Sequence, residues 1–453
     1  MKKQTRPSEI IQPENFEERV IWYSLLGTYV FYLLGAQPIV FPVMAWVLLC
    51  YLAKKLWNQN VDTPEEEKIK IPIIAWIWAV FISLMVIAII ASHIDFSVGL
   101  GRLIKSLIKW GREWALWGVF PLIACLNIRP RLLYRAVCMM CLQSLVVSAI
   151  CYLAYFARLP SAKLYTTPFY LIGGGSQDFY TVLLYFLDGE SGQPRLALFA
   201  PWSPNLATIA IIYFFLAQLE TDKKWRMIGT IGSLVMIFGS LSRMAFISLP
   251  MVVIFTWILT NFDRPLLYFT AGSGSFLTGI FASYLMSSSK SFIARMNESR
   301  ASSSRLRFNL VKLSLKKWWE EARIWGHGFT PERGTPYTFY YPIGTSGCGT
   351  WVNVLYTKGF VGLFAISVPL LCTFLVLIYK ARKTETAKVA LKIFLVFLFF
   401  SLTEELDILS YVNWPGMLML GLALKEDRAN SFENQSQEVF PDSENQIYLN
   451  DYA

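Results

Sequence analysis

"IPIIAWIWAVFISLMVIAIIA", residues 71–91, decides the fold. It has the length of about 20 residues that an α-helix needs to cross a hydrocarbon core, and it carries no charge. One such run could be the buried helix of a soluble domain, but a series of them could not. The 453-residue chain is 55% hydrophobic with 16 tryptophans, and comparable runs recur along it. Hydropathy gives about twelve spans, over 20–36, 38–53, 71–91, 112–127, 133–156, 204–219, 225–241, 244–261, 264–286, 359–379, 387–404 and 408–424. The expected class is an all-α polytopic membrane protein.

Orientation follows from the basic residues. Lys2, Lys3 and Arg6, then Lys54, Lys55, Lys68 and Lys70, then Arg129, Arg131 and Arg135 fall on one side of the alternating spans. Lys223, Lys224 and Arg226 fall there too, as do Lys380, Arg382 and Lys383. The positive-inside rule makes that side cytoplasmic, with both termini inside. Residues 1–19 are then a cytoplasmic N-terminus, 20–424 the membrane domain, and 425–453 a polar tail that reads as disordered. No cleavable signal is expected, because Glu9, Glu14, Glu17 and Glu18 precede the first apolar run. Long segments 157–203 and 287–358 face outward. The net charge of +10 reflects this topology, so membrane lipids are expected partners and nucleic acid is not.

Cys50, Cys125, Cys138, Cys141, Cys151 and Cys372 fall within spans, where Cys behaves as a small hydrophobe. Cys348 alone lies outside. His93 and His327 are the only histidines and cannot supply a histidine-rich metal site, so neither metal nor cofactor is expected. The outward cations are more informative. In "GLGRLIKSLIKW", Arg102, Lys105 and Lys109 recur at i, i+3 and i+7 beside an apolar face, the pattern of an interfacial helix. It could anchor to anionic headgroups or form a basic rim for a lipid-linked phosphate. A second amphipathic stretch, "SSSRLRFNLVKLSLKKWWEEARIWGHG", carries Arg305, Arg307, Lys312, Lys316 and Lys317 and ends at Gly326. Arg243 and Arg195 also stand at outward membrane edges. Guanidinium forks suit diphosphate oxygens, so these residues suggest an anionic lipid-linked substrate.

Four pieces in order resemble the O-antigen ligase and polymerase family, bacterial inner-membrane glycosyltransferases of the GT-C type. "PRLALFAPWSPNLATIA" is similar to that family's Arg-x-x-Gly-x-Phe-x-x-Pro-Asn segment through Arg195, Phe199, Pro204 and Asn205, with the glycine replaced. "SLSRMAF" is similar to its Ser-Arg turn through Ser242 and Arg243. The stretch from Ser304 to Gly328 resembles its outer-loop segment from Arg to Gly-x-Gly. "TWVNVLYTKGFVGL" resembles the helix entry that follows its loop histidine. The pieces cover residues 195 to about 365.

The resemblance implies transfer of an oligosaccharide from an undecaprenyl diphosphate carrier to a glycan or lipid A-core acceptor. Transfer would occur at the outer face of the inner membrane, without metal, alongside other polysaccharide-assembly proteins. Arg195, Asn205, Arg243, Arg305 and Arg307 are the implied diphosphate and glycan contacts. Cys348 stands where the family places its histidine, which favours a repeat-unit polymerase over a ligase and leaves the base open. Candidates are His327, Cys348 itself as a thiolate, and Glu404 with its neighbours Glu405 and Asp407. The alternatives are a transporter or flippase of lipid-linked glycan, or an inactive glycan-binding relative.

Overall fold

With no water to bond in a bilayer core, each backbone amide needs an internal partner, and this chain meets that demand with helix. The computed structural model describes residues 11–60, 64, 68–159, 163–174, 176–188, 192–282, 284, 286–287, 301–330 and 349–425. The helices are α1 (Phe16–Leu26), α2 (Thr28–Leu34), α3 (Gln37–Trp57), α4 (Ile73–Asp95), α5 (Leu100–Arg112), α6 (Ala115–Ile123) and α7 (Pro130–Phe156). After a single turn, α8 (Tyr170–Gly173), come α9 (Ser203–Ala217), α10 (Lys223–Gly239), α11 (Arg243–Thr260) and α12 (Pro265–Ile280). Then follow α13 (Ala301–Glu321), α14 (Gly349–Ala381), α15 (Glu385–Ser401) and α16 (Ser410–Lys425). The only strands among the described residues are two antiparallel pairs of two-residue strands, 165–166 with 181–182 and 186–187 with 194–195.

The expected apolar segments fall largely on helices, and among the described residues five helices are long and apolar enough to cross a membrane: α3, α4, α7, α11 and α14. The others are shorter or interrupted. The first expected span, for example, is split at Gly27 into helices of 11 and 7 residues. The expected fourth span is a nine-residue helix that starts only at Ala115.

Helices α9 and α16 are buried on nearly every side. Large aromatics fill the space between α3, α4, α6, α15 and α16, with Trp117 stacked on Trp78 and edge-on to Phe397. Their indole N–H groups are satisfied within the core, Trp78 by Thr373 at 2.8 Å and Trp117 by Ser410 at 2.9 Å. Helix α10 approaches α7 closely through small residues. A Cβ on Gly229 would lie 2.7 Å from Cys138 Sγ, and one on Gly232 2.7 Å from the Cys141 carbonyl. Cys138 and Cys141 are therefore packing surface, both buried and free.

Many of the cations that set the expected orientation meet at one end of the bundle. Arg129 pairs with Glu14 and with Glu18, and Lys55 with Glu17 at 2.8 Å. Lys380 and Lys425 donate to the last carbonyls of α16 and to Cys125 and Leu126 just after α6, respectively, groups left without helical partners.

At the other end α14 is broken at Gly359 (φ 61°, ψ −157°). An unbroken helix would bond Phe360 N–H to the Tyr356 carbonyl and Val361 N–H to the Thr357 carbonyl. The turn 323–328 takes up all four groups instead. Phe360 and Val361 donate to the Arg323 and Ile324 carbonyls at 2.9 and 3.2 Å. His327 and Gly328 donate to the Tyr356 and Thr357 carbonyls, each at 2.8 Å. The approach needs glycine on both sides. A Cβ on Gly359 would lie 2.2 Å from the Ile324 carbonyl oxygen, and one on Gly326 2.3 Å from Lys358 N, both at positive φ. We predict that Gly359→Ala or Gly326→Ala lowers the melting temperature of the detergent-solubilised protein by about 5 °C or more. Gly274→Ala, whose Cβ would meet open space on α12, leaves it unchanged. Wild-type stability in Gly359→Ala would contradict this account of the break.

Candidate active site

The first ten residues of α14 are strapped to the turn between α15 and α16. Thr350 Oγ1 donates to the Glu404 carbonyl at 2.7 Å and accepts from Leu406 N–H at 3.1 Å. Trp351 Nε1 donates to Ser401 Oγ at 2.9 Å. Gly349, at φ 75°, leaves no room for a side chain, since a Cβ would sit 2.6 Å from the Leu402 carbonyl. The strap and the break at Gly359 together fix a short helical segment whose Asn353, Thr357 and Lys358 face a cavity of about 340 Å³.

Helix α5 forms the facing wall. Its apolar stripe, Leu100, Ile104 and Ile108, is exposed on the outside of the protein. Its basic stripe, Arg102, Lys105 and Lys109, turns into the cavity. The exposed apolar stripe fits a helix at a membrane interface, and the basic stripe borders the cavity. Glu113, in the turn between α5 and α6, and Asp407, in the turn after α15, bring negative charge into the same walls. Among the described residues, four cations therefore face two carboxylates.

Among the described residues, Lys109 and Lys358 are held only loosely. Lys109 Nζ stands 3.9 Å from Glu113 Oε2. Lys358 is 9% exposed, with Nζ 3.3 Å from Thr357 Oγ1 and 5.6 Å from the centroid of a Trp114 ring. Asp407 is 3% exposed, and its Oδ1 has no protein hydrogen-bond partner; neither has Oε1 of the adjacent buried Glu405. A buried carboxylate oxygen without a donor is costly, so these walls are suited to a polar ligand rather than to closure. Burial pushes the Glu113 carboxyl up to about 7, with the Lys109 ammonium opposing and Asp407 adding to the rise. Burial, reinforced by Asp407, holds Glu405 well above the usual carboxylate range.

The residues singled out from sequence fall into separate groups. His327 is buried, stacked between Tyr356 and Phe96 at ring-centroid distances of 4.3 and 5.1 Å. Its Nδ1 donates to the Tyr356 carbonyl at 3.1 Å, and Nε2 lies 3.0 Å from Glu321 Oε2. Both nitrogens are thus engaged in holding the turn, while the next residues, Gly328 to Thr330, reach the cavity. Cys348 lies outside the described residues. Arg195 donates through Nε to the Ser240 carbonyl at 3.2 Å and lies 3.5 Å from Asp188, beside the Leu196 N–H bond to Gly239. The Arg195 segment and the Ser242–Arg243 turn are therefore neighbours. Glu404 Oε2 accepts from Trp202 Nε1 at 3.1 Å. Burial raises the pKa of Glu404, against the opposing charge of Arg307. Arg305 and Arg307 are exposed on α13. Asn205 is fully buried near the start of α9, with neither side-chain amide atom hydrogen-bonded. Among the described residues, His327, Arg195, Glu404, Arg305, Arg307 and Asn205 do not line the cavity.

Sequence reading did not single out Glu113 or Lys358. Each is a charge set directly against an apolar run, "WALWGVFPLIACL" and "FVGLFAISVPLL", and such a charge demands a partner. Among the described residues no group of three or more His, Cys, Asp or Glu side chains could hold a metal ion.

The excess of cations gives the cavity affinity for anions, and protonating Glu113 increases it. We predict that sulfate, which does not titrate in this range, binds about tenfold more tightly at about pH 6 than at about pH 8. Glu113→Gln binds as the low-pH form does at both values. Calorimetry on the purified protein checks this, and pH-independent binding by the wild type contradicts it. No protein-family model matches the chain, and no curated protein sequence matches it.

Proposed function

We propose that this protein transfers an oligosaccharide from an undecaprenyl diphosphate carrier to a glycan acceptor at the outer face of a bacterial inner membrane. It does so as a repeat-unit polymerase or O-antigen ligase, in a GT-C-like domain of about twelve spans with both termini cytoplasmic. The observation that carries this reading is the mixed-charge cavity beneath α5, remote from the end where the Arg129 and Lys425 contacts gather. The motif resemblance set out above supports glycan transfer as the activity. The diphosphate contacts it implies, Arg195, Asn205, Arg243, Arg305 and Arg307, lie outside this cavity, whose own cations take that role in the present reading.

The chemistry suits the residues. When the bond from the anomeric carbon to the diphosphate breaks, negative charge builds on the leaving oxygens. Cations already fixed in a partly dry cavity stabilise that charge without reorganising. Arg102, Lys105, Lys109 and Lys358 supply them. Asp407 and Glu113 are placed to accept hydrogen bonds from sugar hydroxyls. The exposed Leu100–Ile104–Ile108 stripe lets a polyprenyl chain stay in lipid while its diphosphate reaches the opposite face of the same helix. In this reading the Arg195–Arg243 pair and Arg307 guide the acceptor or the distal part of the donor glycan.

The test is purified protein with polyprenyl-diphosphate oligosaccharide, followed by separation of the lipid-linked products. Chain extension, or transfer to an added acceptor, is expected. Lys358→Ala and Asp407→Asn should each lower the rate about 100-fold or more while the protein remains folded. Movement of intact donor across a vesicle membrane without any new glycosidic bond would support a flippase and refute the proposal.

A further inference from the structure

His93 and Ser106 form a second polar constellation on the same cavity, one that the charged residues do not explain. His93, near the end of α4, is 2% exposed. Its Nδ1 lies 2.8 Å from the Ile89 carbonyl. A carbonyl only accepts, so Nδ1 carries a proton, and in the neutral tautomer this fixes, Nε2 presents a lone pair. That nitrogen is 3.1 Å from Ser106 Oγ on α5, and Ser106 lines the cavity. The hydroxyl then donates to the imidazole, which leaves its oxygen free to accept from a ligand in the cavity.

The ring is held rigidly. Gly328, at φ 74°, presses on it so closely that a Cβ there would lie 2.8 Å from Nδ1 and 2.2 Å from Ser92 Oγ. Phe329 closes one side edge-on at 6.2 Å between centroids. The Gly-x-Gly turn that seals the break in α14 is thus also the lid over this histidine. A hydroxyl aligned on a base, with the base oriented by a third group, is the arrangement that activates oxygen nucleophiles or relays their protons.

We infer that Ser106 and His93 form the proton relay for the acceptor hydroxyl, an inference that rests on the glycan-transfer reading above. The acceptor O–H proton passes to Ser106 Oγ as the serine proton passes to His93 Nε2. The freed acceptor oxygen forms the new bond to the anomeric carbon of the donor. The carbon–oxygen bond to the diphosphate breaks, and its electron pair leaves on the diphosphate. His93, now an imidazolium, returns its proton through Ser106 to the departing diphosphate or to solvent. Ser106 is the catalytic residue, and His93 acts through it.

Because the chain has only two histidines, the relay can be tested by spectroscopy as well as by turnover. In full-length protein labelled with ¹⁵N-histidine, His93 should be the Nδ1–H tautomer, and Ser106→Ala should shift its Nε2 resonance. His327→Gln assigns the remaining signals. In the lipid-linked glycan assay, Ser106→Ala and His93→Gln should each lose about 100-fold in kcat, with donor KM changed less than about twofold. Ser106→Thr should retain most of the activity. An active wild type with an equally active Ser106→Ala overturns the relay and leaves glycan transfer standing. An Nε2–H tautomer at His93 also overturns the relay, whatever the turnover. A wild type that transfers no glycan overturns both.

Discussion

The break in α14 at Gly359 is the constraint on which the cavity end of this protein depends. A helix interrupted at the edge of a membrane leaves four backbone groups unsatisfied, each costly in a medium that offers no water. The turn 323–328 supplies a partner for every one of them. Fixing the break fixes the direction of residues 349–358, and the Thr350 and Trp351 bonds tie the same segment to the turn that carries Asp407. Three parts of the chain far apart in sequence thereby become the walls of one cavity.

Electrostatics then gives that cavity its character. Lys358, Asp407 and Glu113 are nearly inaccessible, and none has the close bidentate partner that neutralises a buried charge. Arg135, by contrast, meets Glu220 through two bonds of 2.9 and 3.0 Å near the other end of the bundle. The Arg135 pair is a closed structural contact. The charges around the cavity are distributed over several walls, with unbonded oxygen atoms among them, which is the arrangement expected of groups that complete their hydrogen bonds on a ligand. Rigid placement of such groups is what makes them useful to a reaction, because little reorganisation remains to be done as charge moves.

Much of the helical layout was readable from composition and period. The run at 71–91 is α4, and the Arg102–Lys105–Lys109 spacing marks α5 as amphipathic. The direction of that basic face was not readable, because both a lipid headgroup and a cavity satisfy the same pattern. The break at Gly359 was hidden for a similar reason. "TWVNVLYTKGFVGL" reads as one entry into a span, and only the docking of Gly326 shows why its glycine is there. His327 looked available as a base in the linear chain. In the fold both of its ring nitrogens are taken by Tyr356 and Glu321, residues whose proximity depends on the turn closing. His93 carried no sequence signal at all, since its partner Ser106 is an ordinary residue on another helix. Buried charges beside apolar runs, such as Glu113 and Lys358, are the sequence feature that marks the cavity.

The most direct test of the account is electron cryo-microscopy of the protein bound to a non-reacting phosphonate analogue of a polyprenyl-diphosphate oligosaccharide. The account predicts the diphosphate in contact with Lys105, Lys109 and Lys358, the first sugar beside Ser106 and Asp407, and the lipid chain leaving past Ile104 and Ile108. A diphosphate held instead at Arg195 and Arg243, with the cavity beneath α5 empty, would contradict it.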